Sequence, residues 1–216
     1  LDNAKNQVGF FWMPLAVCLH PDFLDTLPES EFVGGLFEVV KTLLISDGVL
    51  YNRFVSSRRG GYEEMKHVIG EVILHCASFK LAVVKNDPTE LSLRKILNFG
   101  HTFGHGIESF AIERGIPLSH GMAVGLGMVC ELYLSVRKLG LDESIYAGYR
   151  EFAAGLMGIH RFTLADTEPI LCYMRSDKKN RDGQILTVLL QDLAAPVIDV
   201  AIDDNEIRDA ILHISL

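Results

Sequence analysis

The stretch Asn98 to His120, NFGHTFGHGIESFAIERGIPLSH, constrains this chain more than any other, because it puts three histidines into one helix and the turn that follows it. With Gly100 to Phe110 helical, His101 and His105 stand four residues apart on one face, a spacing at which two imidazoles can grip one metal ion. After a loop marked by Gly115 and Pro117, His120 offers a third ring nitrogen at the start of the next helix, which His120, Gly121 and the apolar run from Ala123 open. An isolated histidine pair at this spacing is ordinarily a solvated helix face. Phe99, Phe103, Ile107 and Phe110 surround this one, so these histidines are expected to face an interior or a cleft. The zincin motif HExxH is excluded, since Thr102 follows His101 and no glutamate lies between the two histidines.

A chain of 216 residues with 49% hydrophobic content can bury a sizeable core, as one large domain or two small ones. No apolar run reaches the roughly 18 residues of a membrane span, and no basic region with an apolar signal core opens the sequence, so a cytoplasmic protein away from membranes is expected. The net charge of -8 argues against a nucleic-acid partner, which would need a basic stripe. Against that acidic average, Lys80 and Lys85, Arg94 and Lys95, and Lys178 and Lys179 lie close in sequence to the candidate residues, which suits a local site for a small anion, although most such lysines are solvated surface. Cys18, Cys76, Cys130 and Cys172 lack CxxC spacing and have apolar neighbours, which predicts buried free thiols. Leu1 is not a methionine and the sequence opens in mid-loop, so a piece of a longer protein is expected.

Along the chain, Lys5 to Gly9 reads as a loop, Ala16 to Leu19 as a short extended run, and Pro21 to Leu27 as a turn-rich entry to a helix. Pro28, followed by Glu29 and Glu31, predicts a helix reaching Ile45. Glu38 and Lys41 lie three residues apart on it, embedded among Leu36, Val39, Val40, Leu43 and Leu44. An exposed ion pair is the simple reading, but a carboxylate in so apolar a helix needs a partner, which a metal ion or ligand would supply. Further helices are predicted over Asp47 to Ser56, Tyr62 to Val84, Met122 to Leu139 up to Gly140, Asp142 to Met157, Glu168 to Met174, and Asp204 to Ile214. On the third of these, Gly125 and Gly127 predict close backbone packing. His67 and His75 read as surface or packing residues, and Asn86 to Glu90 as a turn around Pro88. Gln184 to Leu190 and Pro196 to Val200 suit a small hairpin. The fold class is therefore mainly α with a small β-hairpin near the C-terminus. No GxGxxG follows a strand, so no cofactor-binding residues are expected in this chain.

Four blocks, GLFEVVKT (Gly35 to Thr42), LRKILNFGHTFGHGIE (Leu93 to Glu108), SHGMAVGLGM (Ser119 to Met128) and DKKN (Asp177 to Asn180), closely resemble the 3-dehydroquinate synthase family in order and approximate spacing. The resemblance runs from Lys5-Asn6 nearly to the C-terminus and covers the family's helical C-terminal domain. It implies that residues 1–216 form a single helical metal- and substrate-binding domain, and that the family's N-terminal NAD-binding α/β domain is absent from this chain. Carried over position by position, the resemblance implies Glu38, His101 and His120 as ligands of Zn2+ or another divalent metal such as Co2+. Such a ligand set leaves open positions for a substrate's vicinal hydroxyls. His105 would be catalytic, as would Lys41, a position that also contacts substrate. Asn6, Lys80, Arg94, Asn98 and Lys178 would bind substrate, with Lys179 an alternative to Lys178.

The activity implied is conversion of 3-deoxy-D-arabino-heptulosonate 7-phosphate to 3-dehydroquinate and phosphate in the shikimate pathway, which leads to chorismate and the aromatic amino acids, by a full-length enzyme that uses NAD and is a homodimer. The chemistry is transient oxidation of a ring alcohol, loss of phosphate, return of the hydride, ring opening and aldol closure. Two departures stand out: Met122 replaces the glutamate of the family's frequent HGEAV, and Thr89 to Leu93 lacks an expected glycine. The rival readings are a related sugar-phosphate cyclase and a polyol dehydrogenase, which would lack the phosphate- and carboxylate-binding set. A third is a non-catalytic helical metal-binding module. The chain alone is expected to fold without catalysing the reaction.

Overall fold

A computed structural model describes residues 14–57, 61–158, 162–176 and 184–214, with side chains of the third helix described from residue 68. Asn6, Lys178 and Lys179 lie outside the described residues. The α-helices are α1 (Glu29–Ser46), α2 (Gly48–Ser57), α3 (Gly61–Asn86), α4 (His101–Glu113), α5 (His120–Leu139), α6 (Glu143–Met157), α7 (Leu164–Arg175) and α8 (Asp204–Leu212). Short 3-10 turns occupy Pro21–Thr26 and Leu93–Asn98, and one antiparallel hairpin pairs β1 (Ile185–Asp192) with β2 (Ala195–Ile202). The mainly helical class with a late hairpin is therefore as expected. Among the described residues no helix is long and apolar enough to cross a membrane.

The fold is organised on α5. The Ser119 side chain caps its start by accepting from the Met122 N–H, and Gly140, at φ 73°, ends it in the left-handed conformation that glycine adopts without penalty. Between these caps, Gly121 and every residue from Ala123 to Ser135 are buried. A helix buried on all sides must have neighbours on all sides. Here they are α1, α4, α6, α8 and β1. Val124, Met128, Val129 and Leu132 join one apolar cluster with Phe37, Val40, Leu44, Phe54 and Phe152, while Leu126, Cys130 and Leu134 join another with Phe103, Ile107, Ile170 and Ile211. Each such fully buried aliphatic or aromatic side chain contributes about 1.5–3 kcal/mol. An exposed ion pair contributes roughly 1 kcal/mol or less, so the clusters and not the charged residues hold this fold.

Close approach to α5 depends on small residues, as Gly125 and Gly127 led us to expect. A Cβ on Gly127 would lie 2.0 Å from the Gly100 carbonyl oxygen, and one on Gly121 would lie 2.2 Å from the Gly34 carbonyl oxygen. Backbone therefore meets backbone at both contacts, with α1 on one side and the start of α4 on the other. The hairpin closes the far side. Its turn carries Ala194, at φ 58°, whose N–H donates to the Leu44 carbonyl at the end of α1 (2.8 Å), while Leu193 packs against Gly48. Lys95, in the second 3-10 turn, pairs with Asp199 of β2 at 2.5 Å.

Three expectations need correction. Helix α7 begins at Leu164 and not at Glu168, because Thr163 and Asp166 form a capping box there and Pro169 is accommodated inside the helix. Ala16 to Leu19 pairs with no strand among the described residues, and Leu15, Val17 and Leu19 are exposed. All four cysteines are free, but only Cys130 is buried: Cys76 is half-buried, and Cys18 and Cys172 are exposed. His75 is a packing residue as expected, bonded to Ser46 Oγ at 2.9 Å and stacked on Phe79.

Candidate metal centre

Three helices converge on one cluster. Helix α1 carries Glu38 and Lys41, the first turns of α4 carry His101, His105 and Glu108, and the first residue of α5 is His120. Gly100 starts α4 at φ 79°, and a Cβ there would come within 2.5 Å of Met128, so only glycine lets the chain turn this tightly against α5. The Gly100 N–H is received by the carboxylate of the fully buried Glu131 on α5, which fixes the helix start next to His101.

The ring centroids of His101 and His105 are 5.4 Å apart, those of His101 and His120 5.4 Å, and those of His105 and His120 5.9 Å. One nitrogen from each ring can be chosen so that all three lie within 4.8 Å of one another, close enough to hold a metal ion. Glu38 joins through His101, its Oε1 3.7 Å from Nε2, while its Oε2 accepts from Lys41 Nζ at 2.6 Å. Lys41 is buried, so Glu38 and Lys41 form an inward ion pair and not the exposed pair of the simple reading.

The hydrogen bonds assign the tautomers. His101 Nδ1 lies 3.2 Å from the Phe99 carbonyl, which can only accept, so the proton resides on Nδ1 and Nε2 keeps its lone pair. His120 Nδ1 lies 3.0 Å from Glu108 Oε2, a carboxylate oxygen that can only accept, so Nδ1 carries the proton of that bond and Nε2 is the ring nitrogen left for a ligand. Burial pushes the His101 imidazole down to about 2, with the Lys41 ammonium and the other two rings adding to the effect and the Phe99 carbonyl opposing it. His101 is therefore a neutral ring with a lone pair turned towards Glu38.

The donor set fits a divalent cation. Glu38 Oε1 is buried and makes no hydrogen bond, although the rest of that side chain is partly open. Lys41 satisfies Oε2, but a buried Oε1 with no donor of its own beside the lone pair of a neutral imidazole is costly. One carboxylate and neutral imidazoles are ordinary zinc donors, and carboxylates that orient the outer nitrogen of a ligating histidine are a recurring support for them.

Other sequence-derived residues are placed as follows. Arg94 and Asn98 lie on the 3-10 turn that leads into α4; Arg94 Nη1 donates to the Pro88 carbonyl at 2.8 Å, and Asn98 Nδ2 to Glu90 Oε1 at 2.6 Å. Lys80 is exposed on α3. Lys95 is tied to Asp199 and is a structural residue. Sequence reasoning missed Glu108, although it stands seven residues after His101 and three after His105, on their helix face. It supplies a carboxylate to His120 where Met122 could not. Glu131 carried no local signal, because its partner is 31 residues away.

Helices and histidines together define a helical domain with a candidate metal centre between three helix segments. The sequence profile described as 3-dehydroquinate synthase C-terminal matches residues 35–180, and the chain belongs to the 3-dehydroquinate synthase family. A 3-dehydroquinate synthase of Chlorobium luteolum is 42% identical over 218 residues, covering 96% of this chain and 59% of the relative. One from Alkaliphilus metalliredigens is 36% identical over 192 residues, covering 88% and 52%. The chain thus spans somewhat more than half the length of these relatives. Among solved structures, a 2-deoxy-scyllo-inosose synthase complexed with carbaglucose-6-phosphate, NAD+ and Co2+ superposes with a TM-score of 0.78 at 22% identity, over 100% of this chain and 61% of that one. The 2-epi-5-epi-valiolone synthase of Streptomyces hygroscopicus, with NAD+ and Zn2+ bound, gives 0.75 at 23% identity, over 90% and 54%. At those identities the likeness establishes the fold.

Proposed function

We propose that this chain is the metal- and substrate-binding domain of a cytoplasmic, homodimeric 3-dehydroquinate synthase, which converts 3-deoxy-D-arabino-heptulosonate 7-phosphate to 3-dehydroquinate and phosphate. NAD would be held by the part of the enzyme outside this chain. The observation that carries the reading is the cluster of His101, His105 and His120, with a buried Glu38 oxygen that makes no hydrogen bond 3.7 Å from the neutral His101 ring. Glu38, His101 and His120 would hold Zn2+ or Co2+. When bound, such an ion supplies charge stabilisation for oxygen atoms of the substrate.

The chain's own residues do the rest. Lys41, buried and paired with Glu38, fixes a positive charge at the cluster and sets the direction of the Glu38 carboxylate. His105, whose ring adjoins both proposed histidine ligands, is placed to exchange a proton with a substrate oxygen. Arg94 and Asn98, on the turn leading into α4, bind the substrate's anionic groups, and Lys80, Asn6 and Lys178 complete that set. Binding here is chiefly orientation and charge matching. A related sugar-phosphate cyclase is the second reading, since the fold is shared with two other synthases; identity of 42% to a 3-dehydroquinate synthase favours the first.

The test is phosphate release from the heptulosonate phosphate by the full-length protein, with NAD and zinc supplied, alongside zinc titration of Glu38→Ala, His101→Ala, His120→Ala and His105→Ala. Zinc should be lost in the first three and kept, with a much reduced rate, in the fourth. Tight one-to-one zinc in the first three would remove the ligand assignment. Turnover of a different heptulose phosphate alone would remove the substrate.

A further inference from the structure

Asp87 follows α3 directly, and nothing in its sequence context marks it as more than a turn residue. Only 5% of it is exposed, yet among the described residues no cation pairs with it. Its carboxylate collects backbone instead: Oδ1 accepts from the Leu91 N–H (3.1 Å), and Oδ2 accepts from the N–H groups of Ser92 (2.8 Å) and Arg94 (3.0 Å), with Ser92 Oγ at 3.4 Å. Three amides converging on one carboxylate make a small anion nest whose anion is part of the chain. Within the enclosed loop, Glu90 takes φ 62°, and its side chain receives Asn98 Nδ2. Two cross-links, one from Asp87 to the backbone of Arg94 and one from Glu90 to the side chain of Asn98, thus bind residues 87–98 into one unit that leads directly into Gly100 and His101.

From this geometry we infer that Asp87 is a positioning residue, which aims Arg94 at the substrate's anionic end by holding the Arg94 backbone. The inference rests on the reading that Arg94 binds substrate. It needs a carboxylate: asparagine offers one accepting oxygen and a donating NH2 group, so at least one of the three amides would lose its partner. Loss of that partner releases the loop and lets the guanidinium swing, and a misplacement of about 1 Å can cost on the order of 100-fold in a binding or rate constant. Asp87 itself touches no substrate in this arrangement.

A double-mutant cycle on the full-length enzyme tests it, with KM for the heptulosonate phosphate, kcat and zinc affinity as readouts. Asp87→Asn should raise KM about tenfold or more while kcat changes less than about threefold, the signature of lost binding common to ground and transition states. Zinc affinity should not move. In the Arg94→Ala background the Asp87→Asn effect on KM should shrink to less than about twofold, because two residues acting through one contact are not additive. An undiminished effect in that background would show that Asp87 acts by another route and would overturn the inference. If Arg94→Ala raises KM and Asp87→Asn does not, the inference falls alone; if Arg94→Ala leaves KM unchanged, the substrate role of Arg94 falls with it. Should Asp87→Asn not fold, Asp87→Glu, which keeps the charge but moves it one methylene outward, carries the same cycle. In the wild-type protein the amides of Leu91, Ser92 and Arg94 should exchange slowly with solvent, and exchange at free-loop rates would refute the arrangement directly.

Discussion

Substitution of Gly121 by alanine tests the assembly of the site in one methyl group. The new Cβ would stand 2.2 Å from the Gly34 carbonyl oxygen, where ordinary contact begins at 3.4 Å, so α1 and α5 must part by about 1 Å. Overpacking of this kind costs about 2–3 kcal/mol. Alanine's better helix propensity returns about 1 kcal/mol, leaving a net loss of roughly 1–2 kcal/mol and a urea midpoint lower by about 0.5–1 M for a typical slope. The larger effect falls on the metal. Gly121 adjoins His120, and Gly34 lies one turn before Glu38, so the displaced backbones carry two of the proposed ligands. Coordination distances tolerate about 0.2 Å, and a separation several times larger should weaken zinc binding by at least about 100-fold, or about 2.7 kcal/mol. Equilibrium unfolding in urea and zinc competition against a chromophoric chelator measure the two effects. Gly34→Ala is the control: its Cβ meets Ser119 Oγ at 3.1 Å and otherwise lies at ordinary contact distance, so a small adjustment accommodates it. A Gly121→Ala protein with wild-type midpoint and zinc affinity would refute the packing argument. Lost stability with wild-type zinc affinity would show that Glu38 and His120 do not share an ion.

Glu108→Gln keeps the size of the side chain but weakens the bond to His120 Nδ1, and zinc affinity should fall by about 10–100-fold with the fold intact; an unchanged affinity would mean that His120 needs no such support. Acid should loosen the Asp87 loop: burial raises that carboxyl, but the N–H groups of Ser92, Arg94 and Leu91 outweigh it and hold it at about 2. Because the folded value lies below the unfolded one of about 3.9, the contribution is complete above about pH 4 and is lost as pH falls towards 2. Comparison of acid unfolding in wild type and Asp87→Asn should show the wild-type advantage shrinking across that window, and a constant difference would contradict it.

What the sequence made legible were features with local causes. His101 and His105 announce themselves by spacing, Gly140 by the left-handed cap it forms, and the start of α1 by Pro28, Glu29 and Glu31. Glycines at 125 and 127 announced close packing, but not that Gly100 and Phe37 would be the partners. What escaped was set by tertiary neighbours. Asp87 looks like an ordinary turn residue until its carboxylate is seen to gather amides, and Lys95 looks like a free cation until Asp199, 104 residues later, meets it. The cysteines failed for the same reason, since apolar neighbours in sequence say nothing about which side of a helix faces the core. At the start of α7, the proline at 169 obscured a capping box six residues earlier.

The hairpin has a consequence for how the chain is made. The Leu44 carbonyl in α1 accepts from the Ala194 amide, and Lys95 donates to Asp199, so segments from the first half of the sequence are fastened by residues 194 and 199. On a ribosome, every proposed metal ligand has emerged well before those fasteners exist. Val188 and Leu190, which belong to the same apolar cluster as Phe37 and Leu44, arrive with them. Until then the nascent chain holds an incomplete core whose uncovered floor is the surface on which α1 and the 3-10 turn rest. The length of that interval is set by the distance between residues 44 and 194, and apolar surface left open in a partly folded chain is what makes it prone to aggregate.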